Sequence, residues 1–172
     1  MIKNILKIFS ITIAVLGLSS CAKEEIGGTA VQDMAGEWYV QVDGVDKDGN
    51  VVEEDPFGMG YFPLYTYNTN ENTSDHMYIS DDQNFWPFCV IVDVNYNAGT
   101  FQVLGAKDSF EGISVDIIDG AVVKDGAVSQ YGYKTDGISF KVKFEDDDYA
   151  GVYYDYLWIH GYRRTGLAGG AD

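Results

Sequence analysis

From Ile138 to Glu145 the chain alternates without a break: Ile138, Phe140, Val142 and Phe144 are apolar, and Ser139, Lys141, Lys143 and Glu145 are polar. A period of two puts the two sets on opposite faces of an extended segment, so this stretch predicts a strand with one face in a core. The same pattern starts at Gly36, where Trp38, Val40 and Val42 alternate with Glu37, Tyr39, Gln41 and Asp43. It returns over residues 100–105, with Phe101 and Val103 set against Gln102.

Residues 61–68, 77–80 and 85–94 predict further strands, the last as a continuous apolar run. Residues 44–59 read as a loop. Residues 113–118, 121–124 and 127–131 predict three short strands, because Asp119-Gly120 and Asp125-Gly126 between them are strong hairpin signals. Residues 152–163 predict a long final strand with Tyr154, Tyr156 and Trp158 on one face. No 12-residue stretch carries a helical period. The fold class is therefore all-β, with about eight or more strands joined by short turns, as in an antiparallel up-and-down barrel or a sandwich. A closed barrel also removes the free edges that such strands would offer to other chains.

The N-terminus follows another rule. Lys3 and Lys7 precede an apolar run from residue 8 to 18, and Ser19-Ser20-Cys21 follows it. The run is far short of the ~20 residues that span a bilayer, so residues 1–20 predict a cleaved signal peptide. Leu18-Ser19-Ser20-Cys21 has the form of a lipobox, with Cys21 as the acylated residue. The alternative is an ordinary secretory signal with an incidental cysteine. Several acyl chains on one residue exceed the two-signal threshold for stable anchoring. Residues 21–34 then form a lipidated tether, 35–168 the barrel domain and 169–172 a tail. Lys23-Glu24-Glu25 resembles a signal for the outer face of the outer membrane, and a plain charged spacer is the competing reading.

Composition narrows the partners. Loss of Lys3 and Lys7 with the signal peptide takes the formal charge from −16 to −18. Nucleic acid needs a cationic surface and is an unsuitable partner, as are anionic headgroups. Membrane contact is expected through the lipid on Cys21. Cys89 is left without a disulfide partner, so packing has to supply the stability.

Gly36-Glu37-Trp38 opens the first strand, and Gly161-Tyr162-Arg163-Arg164-Thr165-Gly166 ends the last. This pairing resembles lipocalin-like barrels, in which an arginine from the end of the chain packs over the tryptophan of the first strand. By that resemblance Trp38, Arg163 and Arg164 close the barrel. With the lipobox, Thr66-Tyr67-Asn68-Thr69, Asn72 and Asn84-Phe85-Trp86, the chain is similar to the lipocalin-like bacterial lipoproteins of the "lipid-binding putative hydrolase" family. The resemblance spans nearly all of the chain after Cys21 and implies a lipid or other small apolar ligand. It brings no catalytic residues with it.

The candidate ligand contacts are Phe140, Tyr154, Tyr156 and Trp158, as one face of the barrel interior, and Trp86 in the turn Phe85-Trp86-Pro87-Phe88. The competing reading is an interior filled by side chains. Exposed rings around Phe85 and Trp86 also suit a sugar or an outer-membrane protein partner. For hydrolysis the chain offers His76, His160 and Cys89, without a Gly-x-Ser-x-Gly or His-Glu-x-x-His motif. Asp46-Lys47-Asp48-Gly49-Asn50 lacks the ligand alternation of a calcium loop and reads as a turn. No cofactor and no metal is expected.

Overall fold

The computed structural model describes residues 27–166; the signal peptide, Cys21 and the tail at 169–172 lie outside them. Nine strands follow one another: β1 (Gly36–Val45), β2 (Val51–Glu54), β3 (Phe62–Asn68), β4 (His76–Ser80), β5 (Cys89–Asn95), β6 (Thr100–Lys107), β7 (Ser114–Val128), β8 (Lys134–Phe144) and β9 (Tyr156–Arg163). Strands β1 and β3–β9 pair antiparallel in order, and β1 pairs with β9 from Trp38–Arg163 to Val45–Tyr156. The result is a closed eight-stranded lipocalin-like barrel. β2 is extra and pairs only with the end of β1.

Four expectations about the strands change. The final strand expected at 152–163 starts only at Tyr156, because residues 152–155 belong to the turn that follows β8. Residues 44–59 contain β2. The run at 85–94 starts its strand only at Cys89, and residues 81–88 turn across one end of the barrel. The three short strands expected between 113 and 131 are one strand, β7, which stays on β8 from Val115–Phe144 to Val128–Lys134. A two-residue hairpin of the favoured I′ type needs positive φ at both central residues. Here Asp119 and Asp125 reach φ 54 and the glycines after them do not. Each Asp-Gly therefore makes a register irregularity, between Ile118 and Ala121 and between Val123 and Ala127, and the strand continues.

The interior is filled. Trp38, Leu64, Met77, Ile79, Phe88, Val92, Ile117, Val142, Leu157 and Ile159 have no exposed surface, so no water-sized void touches them. Phe140 is buried among them, with its ring 5.8 Å from that of Phe101. Tyr156 and Trp158, expected inside, lie on the outer face, because the inward set on β9 is Leu157 and Ile159. Both faces of this strand are apolar or aromatic, so alternation alone does not say which one faces in. Branched aliphatics fill the confined interior, and amphipathic rings keep their polar tips outside.

The lower end, where β1 starts, is sealed by residues 30–35. Val31 and Met34, expected in the tether, are buried there. Trp38 Nε1 donates to Thr66 Oγ1 at 2.8 Å, and that hydroxyl donates to the Met34 carbonyl at 2.6 Å. The Arg163 guanidinium lies 4.5 Å over the Trp38 ring and donates to the Ala35 and Asp33 carbonyls and to Asp136. Arg164 is not part of this closure; it pairs with Glu37 outside, at 2.6 Å. Near the upper end β5 and β6 separate, since they pair only from Asp93–Gln102 to Asn95–Thr100. The Asp108 carboxylate bridges the gap by accepting the Cys89 N–H at 2.7 Å, and the Ser109 N–H donates to the Cys89 carbonyl.

Candidate functional site: the aromatic upper end

Four connections meet at the upper end: residues 55–61, 81–88, 108–113 and 145–155. The 81–88 turn is organised by Asp81, which has no exposed surface. Its carboxylate accepts N–H groups from Gln83 at 3.0 Å, Phe85 at 2.8 Å and Phe88 at 3.1 Å. Burial pushes this carboxyl above its ordinary pKa, and the backbone donors of Phe85, Phe88, Gln83 and Trp86 only partly offset that. Asp82 and Gln83 both take positive φ, which turns the chain tightly enough to lay Phe85 and Trp86 over the barrel.

There the rings form a connected layer. Trp86 stacks on Phe144 with centroids 4.9 Å apart and planes 1° from parallel, and its Nε1 donates to Asp146 at 3.1 Å. Phe85 meets Phe62 and Phe57, each at 5.2 Å. Phe57 is carried by the 55–61 loop, where the Asp55 carboxylate accepts the N–H groups of Met59 and Gly60. Trp86 is thus half-buried at the edge of the core.

Beside this layer is an open depression of about 210 Å³ lined by Glu53, Pro56, Phe57, Tyr149, Tyr153 and Tyr154. Tyr154 is fixed: its ring lies where a Cβ on Gly44 would stand, and its hydroxyl donates to Asp147 at 3.0 Å. Burial and the Asp147 charge hold its phenol well above the ordinary value. Tyr149 and Tyr153 pair at 5.8 Å, and Tyr153 and Val152 are 63% and 70% exposed. Of the five candidate contacts, the structure brings Trp86 and Tyr154 to this end, with Phe140 in the core and Tyr156 and Trp158 on the outer wall. Phe57 and Tyr149 were missed by the sequence reading because they sit in loops where no periodicity marks a face, and Tyr153 because the strand expected at 152–163 begins only at Tyr156.

The candidate hydrolytic residues are apart. The Cys89 thiol meets the Tyr67 hydroxyl at 3.4 Å, and His76 lies between Asp75 and Asp93 at 3.2 and 3.4 Å. His160 faces Asp43 on the outer wall. Among the described residues no group of three or more His, Cys, Asp or Glu side chains is placed to hold a metal ion. In the 46–50 turn, Asp46 accepts both the N–H and the side-chain amide of Asn50.

A closed, side-chain-filled antiparallel barrel with a rim of aromatic loops is a lipocalin-like architecture. Residues 23–168 match the family described as "lipid-binding putative hydrolase", and the chain belongs to that family. No curated protein matches it.

Proposed function

We propose that this protein is a lipoprotein, held at the outer membrane by acyl chains on Cys21, that binds a lipid at the aromatic upper end of the barrel. The observation that carries the binding site is the contrast between an interior packed with buried side chains and an open, tyrosine-lined depression beside the Phe85–Trp86 layer. Its volume is below the ~300–1,000 Å³ of typical ligand pockets, so it suits the end of an acyl chain, with the rest lying over Tyr149, Val152 and Tyr153. Family membership supports a lipid as the ligand class. The anchor rests on Leu18-Ser19-Ser20-Cys21 and the charged, apolar leader before it. The chain reaches the barrel through residues 30–35 at the lower end, so the tether from Cys21 joins the barrel at the end opposite the proposed lipid site.

The three tryptophans report on the three possible places: Trp38 at the lower end, Trp86 at the upper end and Trp158 on the outer wall. A monoacylglycerol with a dibrominated chain should quench the fluorescence of the wild-type chain. The quenching should disappear in Trp86→Phe and persist in Trp158→Phe. Quenching that persists in Trp86→Phe would move the lipid elsewhere, and no quenching in the wild type would remove the lipid-binding reading.

A further inference from the structure

The outer wall carries a second feature, built from strands rather than loops. One transverse row crosses it: Gln41 on β1 is opposite His160 on β9, His160 is opposite Ser139 on β8, and Ser139 is opposite Ala121 on β7. Alternation puts all four on the outer face. Tyr61, just before β3, continues the row beyond Gln41 and is 42% exposed. Trp158 flanks the row on one side and Tyr162 on the other.

Residue size makes this row a trough. Ala121, Ala127, Gly126, Gly137 and Ser139 are small, while Trp158 and Tyr61 rise beside them, the buried Tyr162 lies at the floor, and Val123 and Val128 near the end of β7 line the groove as well. The resulting groove has a volume of about 360 Å³, within the ~300–1,000 Å³ range of small-molecule sites. It lies on the side wall and shares no lining residue with the depression at the upper end.

Its polar groups are held ready for a ligand. His160 Nε2 lies 3.0 Å from Asp43 Oδ2; the carboxylate can only accept, so the ring N–H donates to it, and Nδ1 is left for a ligand. Asp43 is itself fixed by the Asp55 N–H, at 3.0 Å. The Trp158 ring stacks on the imidazole at 3.9 Å and 19°, which locks both rings. By contrast, the Gln41 amide and the Ser139 hydroxyl have no hydrogen-bond partner among the described residues. Donors and acceptors in a line, with aromatic surface at the end and along the side, match a flat ring that carries several hydroxyls. Asp43 beside the row and the strongly negative chain disfavour phosphorylated or carboxylated ligands.

We infer that this trough is a binding site for a neutral saccharide, which hydrogen-bonds to Gln41, His160 and Ser139 and packs against Tyr61 and Trp158. The test is calorimetric titration of the full chain with maltohexaose, cellohexaose, xylohexaose, mannohexaose and chitohexaose, with hexagalacturonate as the anionic comparison. At least one neutral oligomer should bind, and the anionic one should not. Trp158→Ala and Gln41→Ala should each weaken that binding about tenfold or more, as removal of an aromatic or a fixed polar contact does. Ala121→Trp, which fills the trough from a surface position, should abolish it with an unchanged melting temperature. Trp86→Phe should leave the affinity as it was, so the result is independent of lipid binding at the upper end. The inference is overturned if no neutral oligomer binds, if only the anionic one does, or if binding survives both Gln41→Ala and Ala121→Trp.

Discussion

Two buried aspartates show how one side chain can hold a whole loop, and they respond to pH with opposite sign. Asp108 accepts N–H groups from Cys89, Phe110 and Glu111 at 2.7, 2.9 and 2.6 Å, and so stitches the gap between β5 and β6. Burial alone would raise its pKa, but the donors of Glu111, Cys89, Phe110 and Gly112 outweigh burial and hold it below the ordinary value. At Asp81 burial prevails and the carboxyl is raised. The fold therefore binds fewer protons than the unfolded chain at Asp108, and its stabilisation is present above about pH 4 and lost as pH falls through the folded pKa. At Asp81 the fold binds more protons, so the contribution is full below about pH 4 and declines as pH rises through the raised value. Urea denaturation of the wild type, Asp108→Asn and Asp81→Asn between about pH 2 and 7 should resolve this. The advantage of wild type over Asp108→Asn should grow with pH, and that over Asp81→Asn should shrink; a common direction would refute the assignment. Asp108→Ala should cost about 2–4 kcal/mol, because it strands backbone donors that were bonded to a charge.

At the scale of elements, strand β7 shows what periodicity conveys and what it hides. The alternation of Trp38, Val40 and Val42, and of Ile138, Phe140, Val142 and Phe144, was legible because one face of each strand is confined and the other is polar. Asp119-Gly120 was misread as a hairpin because local turn chemistry is shared by hairpins and irregular strands, and only the partner strand decides between them. That partner is visible at Gly120, where an added Cβ would lie 2.4 Å from the Phe101 carbonyl oxygen and 2.5 Å from its ring. The glycine is therefore kept for the close approach of β6, and the positive φ is taken by Asp119. Gly120→Val should destabilise the barrel by about 3 kcal/mol or more, since backbone and a buried ring would both have to move. Gly112→Ala, at a loop position with open space around it but φ 74, should cost about 1 kcal/mol from backbone strain alone. Equal urea midpoints for the two variants would exclude the packing argument. The candidate site was less legible than the barrel, because its rings come from loops, and on β9 both faces are rich in apolar or aromatic groups.

On the whole molecule the governing quantity is charge. The chain has 27 acidic residues against 11 Lys and Arg, and several acids crowd the upper end: Glu53, Asp55, Asp81, Asp146, Asp147, Asp148 and Asp155. Two opposing effects depend on salt. The ion pairs Lys107–Glu145, Lys141–Asp119 and Arg164–Glu37 weaken when screened, but exposed pairs contribute only ~0–1 kcal/mol each. Repulsion among the unpaired acids weakens as well, and it involves many more charges, spread over distances that a Debye length of ~30 Å at 0.01 M leaves unscreened. Repulsion should win. Raising NaCl from about 0.01 M to about 0.15 M, where the Debye length is ~8 Å, should raise the melting temperature by several degrees. A fall instead would show that the few pairs outweigh the many repulsions. The same field acts on ligands: a free fatty-acid anion approaching Tyr149 and Tyr153 meets Glu53 and Asp146–Asp148, whereas an acylglycerol of equal chain length meets only the rings. Binding of the anion should therefore strengthen as salt is added, while binding of the neutral lipid stays nearly constant, and the upper end should discriminate against charged headgroups most strongly in dilute buffer.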